Sequence, residues 1–236
     1  MSIRRLASPL AAVIAALEHA AELGELSQDD LEWSRERLTG RFRSGPDADG
    51  TGRRNDILRV ASRVFLRRGY HHATISEIAG ELSLTKAGVY HYFGSKQEVL
   101  EAICDQAMAA CEGAVINGLV TSGSGAERLQ RVAERYAELF LSDERLVVLV
   151  RNYYDVSEVA RAGLRKRRKA MEAQLRQALE DGVREGAFQA PDVSVAMLAM
   201  LGTVNWMYSW YQPDGRLAPA EVRDVVVRQV LRGVMP

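Results

Sequence analysis

The chain has 236 residues, 47% of them hydrophobic, and its 31 basic residues balance its 31 acidic residues, so the formal net charge is zero. This length and composition are typical of a folded protein with one or two apolar cores, which excludes a disordered chain as the default interpretation. A neutral chain is not generally attracted to polyanions, so any nucleic-acid site must be a local concentration of positive charge.

A helical extension and linker are predicted for residues 1–52. Two short helices fit the first part, the first beginning at Ser8-Pro9 and stopping at Gly24, and residues 43–52 (RSGPDADGTG) have the composition of a linker. Such a hairpin is too small to hold a core of its own. We therefore expect its apolar stripe to dock on the rest of the chain or on a partner.

The first residues, MSIRRLASPLAAVIAALEHAAELG, resemble a signal peptide only in part. Glu18, His19 and Glu22 interrupt the apolar run, and no stretch of the chain offers the roughly 18 uninterrupted apolar residues of a membrane span. We expect a cytoplasmic protein with no membrane partner.

Residues 53–100 are predicted to contain four helices, of which the middle two form a helix-turn-helix. TISE (74–77) and SKQE (95–98) are capping boxes that start the second and fourth helices, and Thr85 suits the N-cap of a short third helix. Two short helices joined by a tight turn can place the second one in the DNA major groove. The predicted core face of the first helix consists of Ile57, Val60, Ala61, Val64 and Phe65.

The third helix lies within TKAGVYHYFGSK (85–96) and has two faces. A rotation of 100° per residue places Val89 and Phe93 on the core side and leaves Tyr90 and His91 near solvent. The surrounding segment carries eight basic and four acidic residues between positions 53 and 100. Positive charge is therefore concentrated on the candidate nucleic-acid module of a neutral chain.

The string FLRRGYHHATISEIAGELSLTKAGVYHYFGSKQEVL (65–100) resembles the DNA-binding domain of TetR-family (tetracycline-repressor-type) transcription regulators. The resemblance implies an all-α protein, with a three-helix helix-turn-helix DNA-binding domain at 53–100 and a helical ligand-binding and dimerisation domain at 101–236. It also implies contacts with operator bases or phosphates from Thr74, Thr85, Lys86, Ala87, Tyr90, His91, Tyr92 and Lys96. Arg53 joins this set as a groove-reaching arm, the alternative being an ordinary helix start.

One position departs from the family pattern. Ser83 stands in the turn where glycine is common in the family. If the backbone there is left-handed, a residue other than glycine costs roughly 1 kcal/mol.

The second half of the chain is predicted to be helical throughout, with no alternating strand pattern and no internal repeat. The last two helices are apolar over much of their surfaces, as expected if they pair with the same helices of a second copy in a homodimer. The predicted helices are 126–141, 143–155, 157–185, 192–211 and 219–233.

The predicted effector is a small apolar molecule or an acyl-coenzyme A. The segment from Met200 to Val222 resembles family members that respond to acyl-coenzyme A thioesters. The run RKRRK (165–169) could bind the phosphates of such a ligand, although a basic run on a long helix is more often a solvated face. The ligand-binding candidates, which combine apolar walls with a few polar groups, are Tyr136, Phe140, Asn152, Tyr153, Met200, Asn205 and Trp206.

These features together predict a ligand-responsive transcriptional repressor that leaves a palindromic operator when its effector binds. The alternative is a helical small-molecule binding or scaffolding protein with a vestigial helix-turn-helix. We expect neither an enzyme nor a cofactor, since no nucleophile–base pair, paired catalytic carboxylates or phosphate-cradling glycine loop is visible. No metal site is expected either, because His71-His72 lacks partner ligands and Cys104 and Cys111 are predicted to be buried free thiols on one helix.

Overall fold

The structure, a computed structural model, describes residues 51–234, and this part of the chain contains helices and no strand. The all-α prediction is confirmed. The predicted extension lies outside the described residues except for its last two, which already belong to the first helix. The helices are α1 (Thr51–Arg68), α2 (Ile75–Glu81), α3 (Lys86–Tyr90), α4 (Lys96–Leu119), α5 (Gly125–Ser142), α6 (Glu144–Arg151), α7 (Glu158–Arg184), α8 (Val193–Asn205), α9 (Met207–Trp210) and α10 (Pro219–Arg232).

The first helix packs through the face that its apolar spacing predicts. Its five predicted core residues are all buried, and α1 contacts α2, α4 and α6. Gly69 follows the helix with a positive φ of 78°, a conformation that glycine adopts without steric cost. The hairpin α2–α3 is therefore held against a fixed helical support.

The turn between α2 and α3 is a Schellman motif that has serine at its left-handed position. The Leu84 N–H donates to the Ala79 carbonyl (2.8 Å) and the Ser83 N–H donates to the Gly80 carbonyl (3.2 Å), the two bonds that define the motif. Ser83 has a φ of 54°, and it is the only residue other than glycine with a positive φ between positions 51 and 234. The left-handed backbone considered from the sequence is thus present.

Helix α4 passes from the helix-turn-helix into the rest of the chain, and the predicted domain limit at residue 100 falls inside it. Ser95 caps its first turn by accepting from the Glu98 N–H (3.0 Å). The predicted capping box is incomplete, because the Glu98 carboxylate accepts from the Gly94 N–H (2.6 Å) instead. Cys104 and Cys111 are buried free thiols on this helix, as predicted, and burial raises the pKa of both to about 12.

The C-terminal helices pack around α4 and α5. Helix α4 contacts α5, α6 and α7, while α5 also contacts α10 and α7 contacts α8. At the crossing of α4 and α5, a Cβ added to Gly118 would come within 2.5 Å of the Val132 side chain, so this close approach requires glycine. None of the helices between residues 51 and 234 combines the length and apolar character needed to cross a membrane.

Most predicted helix limits in this half are correct to within a few residues. The breaks at Ser142-Asp143 and Gly186 are present, and α8 begins two residues after Pro191. Two predicted spans are too long. The helix expected at 143–155 ends at Arg151, and the helix expected at 192–211 is interrupted at Trp206, which separates α8 from α9.

Replacing Ser83 by glycine should raise the free energy of unfolding by about 0.5 to 1 kcal/mol, because the exposed serine loses no packing and the left-handed strain is removed. Urea unfolding measures this change. Ser95→Gly is the matched control, since Ser95 has a φ of −155° and its hydroxyl caps α4. A Ser83→Gly variant no more stable than the wild type would contradict the strain assigned to this turn.

Candidate nucleic-acid interface and ligand cavity

The third helix presents one face to the core and the other to solvent, as its sequence predicts. Val89 is fully buried and Phe93, just beyond the helix, is 1% exposed. The guanidinium carbon of Arg54, on α1, lies 4.7 Å from the centre of the Phe93 ring. Tyr90 is 43% exposed, so the two faces of this short helix differ sharply.

The exposed side of α3 carries the predicted base-contacting residues. The Thr85 hydroxyl accepts from the Gly88 N–H (3.0 Å) and fixes the start of the helix. The Lys86 ammonium lies 5.7 Å from the centre of the Tyr90 ring. His91 and Tyr92 form an edge-on ring pair with centroids 5.2 Å apart. The exposed members of the predicted set on this helix and its ends are Thr85, Lys86, Ala87, Tyr90 and His91.

Thr74 starts α2 with a complete capping box. Its hydroxyl accepts from the Glu77 N–H (3.2 Å), and the Glu77 carboxylate accepts from the Thr74 N–H (2.9 Å). The hydrogen bonds from the Thr74 backbone and side chain lower the pKa of Glu77. Thr74 therefore orders the N-terminus of α2, whose first turn also holds a carboxylate.

Lys96 occupies a position that the sequence did not predict. Its ammonium group donates to the carbonyl oxygens of Tyr70 (2.8 Å), His71 (3.2 Å) and Ala73 (2.9 Å). The same nitrogen lies 4.7 Å from the centre of the Tyr70 ring. A lysine has three N–H donors, so this arrangement uses all of them to hold the loop between α1 and α2.

Several arginines of the basic segment are engaged in ion pairs within the protein. Arg67 pairs with Glu81, and the Arg68 Nε atom lies 3.1 Å from Glu77, so both pairs brace α1 against α2. Arg53, by contrast, is exposed in the first turn of α1. Some basic side chains of this segment are therefore used in ion pairs within the protein, and others face solvent.

An apolar cavity that is partly open to solvent lies among α5, α7, α8 and α10. Tyr136 carries the only polar side-chain group among its lining residues. Its hydroxyl donates to the Asn205 Oδ1 atom (3.0 Å), and burial raises its pKa well above the usual value. The lining residues are Leu129, Val132, Ala133, Tyr136, Leu175, Leu179, Met197, Met200, Leu201, Val204 and Val230.

The structure brings together only some of the predicted ligand-binding residues. Tyr136 and Met200 line the cavity, and Asn205 joins them through its hydrogen bond to Tyr136. Phe140 is buried behind the lining, with its ring centre 5.6 Å from that of Tyr136.

Three predicted ligand-binding residues lie elsewhere. Asn152 is buried and donates to the Val148 carbonyl (2.9 Å) at the end of α6. Tyr153 stands beside Arg168, whose guanidinium carbon is 6.0 Å from its ring centre. Trp206 is 61% exposed. None of the three is among the lining residues of this cavity.

The sequence analysis missed nine lining residues, of which eight are aliphatic and one is Met197, and the signal for them is helical spacing. Leu129, Val132, Ala133 and Tyr136 occupy the i, i+3, i+4 and i+7 positions of α5, which is the spacing of one helix face. The same spacing describes ordinary core residues. It therefore identifies a buried face without showing that a cavity adjoins it.

A chain of hydrogen bonds connects the C-terminal helices with α1. The Gln106 amide on α4 donates to Asn55 Oδ1 on α1 (2.9 Å) and accepts from Arg145 Nη1 on α6 (2.8 Å). Arg145 in turn donates from Nε to Asp143 Oδ1 (2.8 Å), at the residue that follows α5. The end of a cavity-lining helix is thus linked by polar contacts to the support of the helix-turn-helix.

The RKRRK run does not form a single face. Arg167 turns inward and donates to both carboxylate oxygens of Glu112 (2.8 and 2.7 Å) on α4. Arg168 pairs with Glu172 at 3.5 Å, one turn along α7. Arg165 and Lys169 are exposed.

His71 faces an acidic partner from another part of the chain, since its Nε2 atom lies 3.0 Å from the Asp155 carboxylate in the loop between α6 and α7. Within residues 51–234 no three His, Cys, Asp or Glu side chains are grouped closely enough to hold a metal ion.

Two family descriptions match the chain. Residues 57–103 match the bacterial regulatory proteins of the tetR family, and residues 122–234 match the tetracyclin repressor-like C-terminal domain. Among solved structures, the chain resembles the TetR-family transcriptional regulator PfmR from Thermus thermophilus, with 32% identity and a TM-score of 0.70. The match covers 75% of this chain and 97% of PfmR.

Two further transcription regulators are similar to this chain over most of its length. The structure of AibR in complex with isovaleryl coenzyme A and operator DNA is 28% identical, with a TM-score of 0.68, and the match covers 75% of this chain and 97% of AibR. The transcriptional repressor KstR2 of Rhodococcus jostii is 28% identical over 206 residues, covering 80% of this chain and 95% of KstR2.

Replacing Lys96 by methionine should lower the free energy of unfolding by about 1.5 to 3 kcal/mol, because charge-assisted hydrogen bonds to three carbonyls are lost. Urea unfolding tests this, with Lys86→Met as the matched control. Lys86 is exposed, so its replacement should change stability by no more than about 0.5 kcal/mol. If Lys96→Met unfolds like the wild type yet binds DNA weakly, Lys96 acts on phosphate and not on the loop.

Proposed function

We propose that this chain, which belongs to the TetR family of transcriptional regulators, is a repressor. In this proposal a small apolar or acyl-coenzyme A effector releases it from a near-palindromic DNA operator. As a member of this family it is a regulator and not an enzyme. The observation that carries the proposal is the two-faced third helix, anchored by Val89 and Phe93 and exposing Tyr90 and His91. A DNA-binding regulator acts where the chromosome is, so we propose a cytoplasmic location.

We assign DNA reading to residues 53–100 and ligand binding and dimerisation to residues 101–236. In this proposal the exposed side chains of Lys86, Tyr90 and His91 enter the major groove, while Thr85 and Ala87 permit close approach. Tyr92 is half-buried at the edge of this face and is assigned to backbone phosphate.

Direct base reading by this helix is limited. The residue types best suited to bidentate base contacts, arginine, asparagine and glutamine, are absent from α3. We therefore expect shape, van der Waals contact and bridging water to contribute much of the sequence preference. Lys96 contributes positive charge at the DNA side of the molecule while it holds the loop that precedes α2.

Dimerisation is assigned to the exposed apolar surface around α8, α9 and α10. Large apolar side chains exposed to water on adjacent helices are typical of a subunit interface. Two copies joined there would present two recognition helices to half-sites about one DNA turn apart, roughly 34 Å. The exposed apolar residues of this surface are Val195, Leu198, Trp206, Trp210 and Val225.

The effector is assigned to the apolar cavity. Its walls suit an acyl chain, and the related AibR structure contains isovaleryl coenzyme A together with operator DNA. The phosphates of a coenzyme A would have to stay outside such a cavity, where Arg165 and Lys169 are exposed. Arg167 is unsuited to that role because it is held by Glu112.

Coupling between the two sites would use the polar chain through Arg145, Gln106 and Asn55. Helix α5 forms one wall of the cavity and is followed directly by Asp143, which accepts hydrogen bonds from Arg145. An effector that displaces α5 would therefore alter contacts that reach α1. A ligand that favours the displaced arrangement would favour a dimer with the wrong spacing for DNA.

The direct test is binding of the purified full chain to DNA from upstream of its own gene, compared with shuffled DNA of the same composition, by fluorescence anisotropy at several salt concentrations. We expect tighter binding to the upstream DNA at every salt concentration. Equal affinity for both DNAs would sink the proposed function. A complete lack of salt-dependent affinity would favour a binding or scaffolding protein with a vestigial helix-turn-helix.

Replacing Tyr90 by alanine should weaken operator binding about 5-fold or more, because an exposed contact of the recognition helix is removed. Tyr154→Ala is the matched control, since Tyr154 is more exposed but lies between α6 and α7. Anisotropy titrations compare the two variants. Equal affinities of Tyr90→Ala and Tyr154→Ala would refute the assignment of this face.

Replacing Leu198 by glutamate should convert the dimer to a monomer, because it places a charge in the proposed apolar interface. Sedimentation velocity measures the mass of the particle. Val159→Glu, at an exposed valine on α7 outside that surface, should leave the mass unchanged. A Leu198→Glu dimer would show that the subunits meet elsewhere.

A further inference from the structure

The side chains that line the cavity restrict the charge of a ligand that can bind there. Ten of its eleven lining residues have only carbon, hydrogen and sulfur in their side chains, and the remaining one contributes a single hydroxyl. That hydroxyl belongs to Tyr136, which is 6% exposed. No lysine, arginine or histidine is among the lining residues.

Two oppositely charged side chains on α7 that act on this hydroxyl pair with each other. Arg168 and Glu172 both act electrostatically on Tyr136, and they lie 3.5 Å apart as an ion pair on α7. A carboxylate that entered the cavity would lose its water without gaining an unmatched cation. Burial of such an unpaired charge is strongly unfavourable.

The hydroxyl itself is the one polar contact that a ligand could use from within the cavity. Tyr136 donates to the amide oxygen of Asn205, and the Cys111 thiol interacts with the same hydroxyl. Asn205 is half-buried at the end of α8, so part of this residue is exposed to water. A ligand with a hydrogen-bond acceptor could therefore accept the hydrogen bond that the Tyr136 hydroxyl donates to Asn205. No buried acceptor would then be left unpaired.

We propose that the cavity selects an uncharged, largely apolar group with one hydrogen-bond acceptor, such as an ester or thioester carbonyl, which replaces Asn205 as the partner of the Tyr136 hydroxyl. The free carboxylate of the same chain length is rejected. This inference rests on the proposed function only in taking the cavity as the effector site. It makes Tyr136 the residue that determines specificity for the polar end of the ligand.

Isothermal titration calorimetry of the full chain at neutral pH tests the charge selection with methyl octanoate and octanoate as probes. We expect the ester to bind at least about 100-fold more tightly than the carboxylate. Equal binding of the two probes overturns the proposal, and so does a failure of the ester to bind.

Two variants with opposite expected effects test the hydrogen bond. Tyr136→Phe keeps the ring but removes the donor, so it should weaken methyl octanoate binding about 2- to 10-fold. Asn205→Ala removes the competing acceptor and should tighten ester binding. Tyr153→Phe, which removes a hydroxyl outside the cavity, is the matched control and should leave ester binding unchanged. Unchanged ester binding in both Tyr136→Phe and Asn205→Ala overturns the assignment.

Operator binding by the same preparation, measured without ligand, separates this inference from the proposed function. If the ester binds selectively but no DNA preference exists, the ligand inference stands and the regulator proposal fails. If DNA is bound selectively but the ester does not bind, the ligand inference fails alone.

Discussion

Burial of Val89 and Phe93 is the constraint on which the exposed face of α3, the proposed DNA-binding surface, depends. A helix of five residues has too few internal hydrogen bonds to be stable in water by itself, so α3 exists only because these two side chains enter the core. Their burial fixes the rotation of the helix and leaves Tyr90 on the opposite, exposed side. The left-handed turn at Ser83 and the Thr85 cap then determine where this helix begins.

Contacts outside the turn also hold the helix-turn-helix in place. Lys96 fastens the loop before α2 from a distance of more than twenty residues along the chain, and the ion pairs of Arg67 and Arg68 brace α1 against α2. Charge on this module therefore has two tasks. Part of it maintains the geometry of the helix-turn-helix, and part, under the proposed function, attracts the DNA backbone.

The sequence predicts local features of this protein better than distant contacts. The cap at Thr74 and the burial of Val89 depend on side chains within one or two turns, so spacing alone identifies them. The contacts of Lys96 and the pairing of Tyr136 with Asn205 join positions far apart in the chain. The sequence does not identify most of the residues that line the cavity. Aliphatic residues on one helix face have the same spacing whether they pack against another helix or line a cavity.

The proposed function requires two copies of the α3 face to read two related half-sites. Selection of bound DNA from a random-sequence pool by the full chain, followed by sequencing, tests this most directly. We expect enrichment of a near-palindrome whose half-sites are centred about one helical turn apart. Recovery of no enriched sequence, or of a single unrepeated half-site, would contradict it.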